Sequence, residues 1–166
     1  SGTAQYHIDG DIAHAVMLYW LTTGDDDYLV QEGTEILLET ARLWLDVGSW
    51  YNGSFRINDV TGPDEYTCMV NNNYYTNACA KANLQAACQA ADLLRSLGRA
   101  DVLANLQFTP GEEADFAKAA ECMYLPYDAE KGINPQDDSF LQKPVWDLAA
   151  TSKENFPLLL HYHPLH

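Results

Sequence analysis

The sequence predicts an all-α fold that contains one small β-ribbon. Apolar residues recur at helical spacing in several long segments, and most of these segments end at a glycine. One short stretch changes to a hairpin pattern, in which Asn52 and Gly53 lie between aromatic and β-branched residues. We therefore expect pairs of helices joined by short turns, with long polar loops at some connections.

Two helices are predicted before the ribbon. The first runs from about Asp11 to Thr23 and stops at Gly24. The second follows three aspartates at 25–27 and continues to Gly48, because negative charge favours a helix start. Three aspartates could also indicate calcium, but the alternating ligands and distal glutamate of a calcium loop are absent, which favours the helix start.

Two more helices are predicted after the ribbon, which should occupy residues 49–61. An alanine-rich helix should run from about Asn73 to Leu97, and another from Glu112 to Tyr124. Residues 127–140 are typical of an extended loop, and residues 157–166 begin like a further apolar element. No segment of fixed length recurs, which disfavours a simple repeat solenoid.

Length and composition favour one globular domain over residues 1–166. The 166 residues are 47% apolar, and the net charge of −15 comes from 24 acids and nine scattered bases. That charge disfavours nucleic acid and anionic membrane surfaces as partners. No apolar run is long enough to span a membrane, and the four cysteines lack a CxxC spacing. We expect reduced thiols and a cytoplasmic location.

The polar stretch "VTGPDEYTCMVNNNYYTN", residues 60–77, is the candidate site. Gly62 and Pro63 stiffen the chain before Asp64 and Glu65, where a loop leads into a helix. Helix capping is an alternative role for Asp64 and for the asparagines, but it explains Glu65 poorly. An acid flanked by amides and tyrosines is typical of a sugar site, because amides match hydroxyl groups and tyrosine rings match sugar C–H faces.

This stretch resembles the catalytic motif of glycoside hydrolase family 65, which contains maltose, kojibiose, nigerose and trehalose phosphorylases and some hydrolases. The segments "AQYHIDGDIAHAV", "YLVQEGTEILLETARLW" and "INPQDDSF" resemble the same family in the expected order. The resemblance implies part of an (α/α)6 barrel with the active site at its mouth. The family's tryptophan-aspartate segment, Lys-Gln pair and serine-rich phosphate loop are absent, so we expect a central fragment of the catalytic domain.

The resemblance assigns the general acid to Glu65 by its position in the motif. It implies an inverting phosphorylase that uses inorganic phosphate to convert an α-linked disaccharide into β-glucose 1-phosphate and a free sugar. Phosphate is itself the nucleophile, so one acid suffices, whereas an inverting hydrolase needs a second carboxylate to activate water. Asp64, Asn72 and Asn73 are candidate substrate-binding residues, and Asp64 could instead orient the loop or tune the acid.

Two alternative functions remain open: a hydrolase of the same family, and a non-catalytic helical module that binds sugar or protein. No cofactor is expected. No metal is expected either, since His7 and His14 share a helix face without a third ligand. His161 and His163 are expected to be solvated or packed. An incomplete barrel would leave an apolar strip uncovered, so we expect a homo-oligomer.

Overall fold

The computed structural model describes residues 4–64 and 68–156. Helices dominate the described chain and a two-stranded antiparallel ribbon interrupts them, which confirms the predicted helix-rich fold. The helices are α1 His7–Thr23, α2 Asp26–Tyr28, α3 Thr34–Val47, α4 Tyr74–Ser96, α5 Ala100–Asn105 and α6 Pro110–Glu121. The strands are β1 Gly48–Tyr51 and β2 Ser54–Ile57; a π turn spans Leu29–Gly33, and 3-10 turns span Phe140–Gln142 and Lys153–Asn155.

Gly24 ends α1 and begins the connection to α2 and α3. Gly24 has a φ of 67°, which glycine adopts without steric cost, and its N–H donates to the Trp20 carbonyl. One Oδ of Asp25 then accepts from the Tyr28 N–H at 3.0 Å. The aspartates thus begin a helix, as the sequence predicts, although a wide π turn separates α2 from α3.

The alanine-rich α4 is the central helix of the core. It packs against α1, α3 and α6, and small residues on its buried side allow close approach. Trp44 of α3 is fully buried, and its Nε1 donates to Asn83 of α4 at 2.8 Å. The Asn83 amide donates in turn to the Leu37 carbonyl at 3.1 Å, so the side-chain polar groups of Trp44 and Asn83 are paired.

Helices α1 and α4 run side by side in the same direction. A Cβ added at Gly10 would lie 2.5 Å from the Cβ of Cys79, which explains a glycine inside a helix. Further along both helices, Val16 belongs to the same apolar cluster as Ala86 and Ala90. Helices α1 and α4 are therefore parallel, and α3 packs against both of them.

Residues 122–124 leave the helix that the sequence predicts for them. The Phe55 N–H donates to the Cys122 carbonyl, and the Tyr124 N–H donates to the Phe55 carbonyl, both at 2.8 Å. This segment pairs with β2 and ends α6 at Glu121. The short α5 was not predicted, because its six residues carry too little apolar periodicity.

Helix α1 exposes several large apolar side chains. They are between 45% and 70% exposed and comprise Ile8, Ile12, Leu18, Tyr19 and Leu21. Within the described residues, no helix is both long and apolar enough to cross a membrane.

Candidate functional site

The loop that contains the two acids is attached to the start of α1. Val60 and Val70 form an antiparallel bridge with both N–H···O distances at 2.9 Å, which closes the loop. The Thr61 N–H donates to the Ala4 carbonyl at 3.0 Å, just before α1 begins. Glu65, the predicted general acid, lies outside the described residues.

The same loop is pressed against the start of α4. Gly62 is buried, and a Cβ at this position would lie 2.5 Å from Nδ2 of Asn73. Any larger residue would have to displace Asn73 or the loop. The glycine next to the acids therefore sets how closely the loop approaches α4.

Asp64 is exposed and held by a distant loop. Its Oδ2 accepts from Nε2 of Gln136 at 3.0 Å, and the Gln136 carbonyl accepts from the Tyr74 N–H at 2.8 Å. Gln136 thus connects Asp64 to the first residue of α4. This contact ties Asp64 to the loop at 134–139, while substrate binding, loop orientation and tuning of the acid stay predictions for Asp64.

Asn73 caps α4. Its Oδ1 accepts from the Thr76 N–H and from the Thr76 hydroxyl, each at 3.0 Å. The side chain is 1% exposed, and among described residues its Nδ2 has no hydrogen-bond partner. The capping role that the sequence left open is therefore present, while the predicted contact with substrate stays a prediction.

Asn72 connects three parts of the chain. It has a φ of 53°, and its N–H donates to the Ile57 carbonyl at 2.9 Å. Its Nδ2 donates to Asp138 at 2.7 Å, and its Oδ1 accepts from Nδ2 of Asn77 at 3.3 Å. Asn77 also donates to the Tyr124 carbonyl at 2.7 Å. Asn72 is 1% exposed, so it supports the acid loop from the buried side.

The loop at 134–139 supplies polar partners that residue-by-residue reasoning missed. Buried Asp137 accepts at Oδ1 from the N–H and hydroxyl of Ser139 at 2.7 and 2.6 Å. Asp138 accepts from Asn72, and Gln136 donates to Asp64. Only the family resemblance of "INPQDDSF" singled out this segment in the sequence.

A second polar pair lies at the same ends of α1 and α4. The Tyr75 hydroxyl donates to Oδ1 of Asp11 at 2.6 Å, and this bond raises the pKa of Tyr75. The ring of His7 meets the Tyr75 ring edge-on, with centroids 6.0 Å apart. Asp11 and Tyr75 line an open groove of about 500 Å³ between the two helices.

A metal site is not found in the described residues: none of their histidines, cysteines, aspartates and glutamates form a group of three or more suited to an ion. His7 is buried and His14 is exposed, so the two predicted to share a face differ in environment. All four cysteines lie in the described part and are unpaired there.

Sequence comparison decides the family. The profile of the "Glycosyl hydrolase family 65 central catalytic domain" matches residues 1–165. The chain belongs to this family. The resemblance seen in the sequence is thereby confirmed for residues 1–165 of the family 65 chain.

Curated relatives of this family 65 chain include disaccharide phosphorylases, and others are named uncharacterized glycosyl hydrolases. It is 57% identical to the α,α-trehalose phosphorylase of Geobacillus stearothermophilus, covering 99% of the chain and 22% of the relative. It is 40% identical to the kojibiose phosphorylase of Escherichia coli K12, covering 90% of the chain and 18% of the relative. The family 65 chain therefore spans about a fifth of these relatives.

A solved structure supports the fold. This protein from the human microbiome, provisionally named a kojibiose phosphorylase, is 26% identical and superimposes with a TM-score of 0.83. The match covers 98% of the family 65 chain and 24% of the other protein. The helix arrangement described above is thus shared across nearly the whole chain.

Proposed function

We propose that this family 65 chain forms part of the catalytic domain of an inverting α-glucoside phosphorylase. One observation carries the proposal: the loop leading to Glu65 is fixed against the starts of two parallel helices, in a chain whose curated relatives with a named activity include trehalose and kojibiose phosphorylases. The substrates are an α-linked disaccharide and inorganic phosphate. The products are β-glucose 1-phosphate and a free sugar.

The surrounding domain is proposed to be an (α/α)6 barrel. In such a barrel, neighbouring inner helices run in the same direction and each is followed by an outer helix. Here α1 and α4 are parallel neighbours, and α3 and α6 pack behind α4. The exposed Ile8, Ile12 and Leu18 of α1 would then contact parts of the barrel that this chain does not supply.

Glu65 would protonate the departing glycosidic oxygen while phosphate attacks the anomeric carbon from the opposite face of the sugar. Asp64, held by Gln136, would fix the backbone direction of the loop next to the acid. Asn72 and Asn73 would keep the loop in place from below, since both are buried and bonded. Phosphate needs no base to become nucleophilic, so no cofactor enters this reaction. The unpaired cysteines fit the proposed cytoplasmic location.

A segment exchange tests this function. The chimera is the trehalose phosphorylase of G. stearothermophilus whose matching segment is replaced by this chain, at 57% identity. Incubated with phosphate and a panel of α-linked glucose disaccharides, it should release glucose 1-phosphate. The isolated chain should release none, because the donor-sugar and phosphate groups would come from the rest of the domain. Turnover by the isolated chain, or a folded chimera that releases no glucose 1-phosphate, would contradict the proposal.

The isolated chain should also associate with itself. The exposed apolar residues of α1 form a surface that water solvates poorly, so dimers or larger species are expected. Sedimentation velocity at several concentrations measures this. Replacing Ile12 and Leu18 by glutamate should shift the chain toward monomer, while a matched change at the polar position Gln89 should not. A wild-type chain that stays monomeric at all concentrations would count against an uncovered barrel surface.

A further inference from the structure

We propose that Tyr75 and Asp11 form a sugar-binding subsite beside the loop that carries Glu65. The proposal rests on the function proposed above and adds residues that contact the disaccharide. Both side chains line the open groove between α1 and α4, and Tyr75 is 43% exposed although its hydroxyl is bonded to Asp11. An aromatic face and a carboxylate thus point to the same open space.

The Tyr75–Asp11 pair is linked to the acid loop through neighbouring residues on both helices. Tyr75 lies two residues after Asn73, whose amide contacts Gly62 of the loop. Its neighbour Tyr74 donates to Gln136, which holds Asp64. On the α1 side, the Ala4 carbonyl accepts from Thr61 of the loop, three residues before His7 contacts the Tyr75 ring. The pair and the acid loop therefore occupy the same end of the helix pair.

The chemistry of the pair suits a hexose. The exposed ring of Tyr75 offers a flat apolar face to the C–H groups of a sugar ring. A carboxylate has about four acceptor positions, and the 2.6 Å bond from Tyr75 uses one of them, so Asp11 can also accept from sugar hydroxyls. The bond to Tyr75 holds the carboxylate in one orientation, which lowers the entropy lost on binding. Amides and an imidazole further along the groove add polar groups: His14, Gln85 and Gln89.

The chain contains a matched pair that serves as a control. The Tyr19 hydroxyl donates to Oδ2 of Asp25 at 2.9 Å, and Tyr19 is 45% exposed. The Asp25 bond also raises the pKa of Tyr19. This pair lies at the opposite end of α1 and does not line the groove. It has the same chemistry without the proximity to the acid loop.

The experiment compares Tyr75→Ala, Tyr75→Phe and Asp11→Asn with Tyr19→Ala. Calorimetry on the chimera carrying Glu65→Gln measures binding of trehalose, kojibiose and glucose without turnover. Tyr75→Ala should weaken sugar binding about tenfold or more, which is about 1.4 kcal/mol, since the ring contact and the orientation of Asp11 are lost together. Tyr75→Phe keeps the ring and should weaken binding less. Tyr19→Ala should change it less than about twofold.

Kinetics on the active chimera provide a second measurement. Tyr75→Ala and Asp11→Asn should raise KM for the disaccharide and leave KM for phosphate unchanged, because the pair contacts sugar only. If both variants merely lower the melting temperature and bind sugar as Tyr19→Ala does, the pair only joins α1 to α4 and the subsite is overturned. Sugar binding that depends on Tyr75, together with no phosphorolysis by the chimera that retains Glu65, would support the subsite and refute the phosphorylase function. Phosphorolysis with sugar affinity unchanged in the variants would do the reverse.

Discussion

Glu65→Gln in the chimera is expected to abolish phosphorolysis of natural disaccharides while leaving sugar binding in place. Glutamine keeps the shape of the side chain and a hydrogen-bond donor, but it cannot deliver a proton to the departing oxygen. Proton transfer by a positioned acid is commonly worth about 10²–10⁴-fold in rate, so kcat should fall by that factor. Release of glucose 1-phosphate over time measures the loss.

The leaving group separates acid catalysis from general damage to the site. The leaving group of a nitrophenyl α-glucoside departs as a stable phenolate and needs little protonation. If the site accepts this substrate, Glu65→Gln should therefore slow its cleavage much less than that of the disaccharide. Asp64→Asn should be milder on both substrates, because an amide oxygen can still accept the bond from Gln136. Ordinary activity of Glu65→Gln on a disaccharide would show that Glu65 is not the acid.

Local signals in the sequence predicted the longer helices and several of their ends. Gly24 closes α1 with a positive φ, Asp25 begins the next helix, and Asn73 caps α4 as residue type and position indicate. Asn52 and Gly53 form the tight turn of the ribbon, with φ values of 49° and 78°. Each of these features depends on residues within a few positions of one another, which is the range that periodicity and capping report.

Contacts between distant segments could not be predicted from such patterns. Asp138 lies 66 positions beyond Asn72 and bonds to it, and Gln136 lies 72 positions beyond Asp64. No local propensity specifies these pairs, because packing of the whole domain brings the loops together. The early end of α6 has the same origin, since the Tyr124 N–H donates to the Phe55 carbonyl instead of continuing the helix.

The Tyr75–Asp11 pair shows the same limit at the candidate site. The sequence marked Tyr75 as one of several tyrosines beside the acids and read Asp11 only as a helix start. Their 64-residue separation becomes a 2.6 Å bond because Gly10 lets α1 approach α4 closely. Gly10 lies just before the predicted helix start at Asp11, whereas the helix begins at His7, and the close approach that this glycine allows depends on the neighbouring helix.

Trp44→Ala is expected to produce the largest loss of stability in the isolated chain. Trp44 is fully buried between α3 and α4, and removing a buried tryptophan side chain commonly costs about 3–5 kcal/mol in free energy of unfolding. The change also leaves Oδ1 of Asn83 without its donor inside the core. An unpaired buried acceptor costs about 1–3 kcal/mol, so the total loss should reach the upper part of the range of about 3–5 kcal/mol given for the tryptophan side chain.

Trp44→Phe and Trp50→Ala divide this effect into its causes. Phenylalanine fills most of the space but lacks the Nε1 donor, so Trp44→Phe should retain the apolar packing and lose mainly the bond to Asn83. Trp50 is 47% exposed on β1 and contacts Phe55 and Lys118 from outside the core, so Trp50→Ala should cost much less than Trp44→Ala. Urea unfolding followed by circular dichroism, at several protein concentrations because the chain is expected to associate, gives the free energies and their m-values. Equal losses for Trp44→Ala and Trp50→Ala would show that the α3–α4 contact does not hold the chain together. The loop at Glu65 would then need another support, because α4 positions it through Asn73 and Asn77.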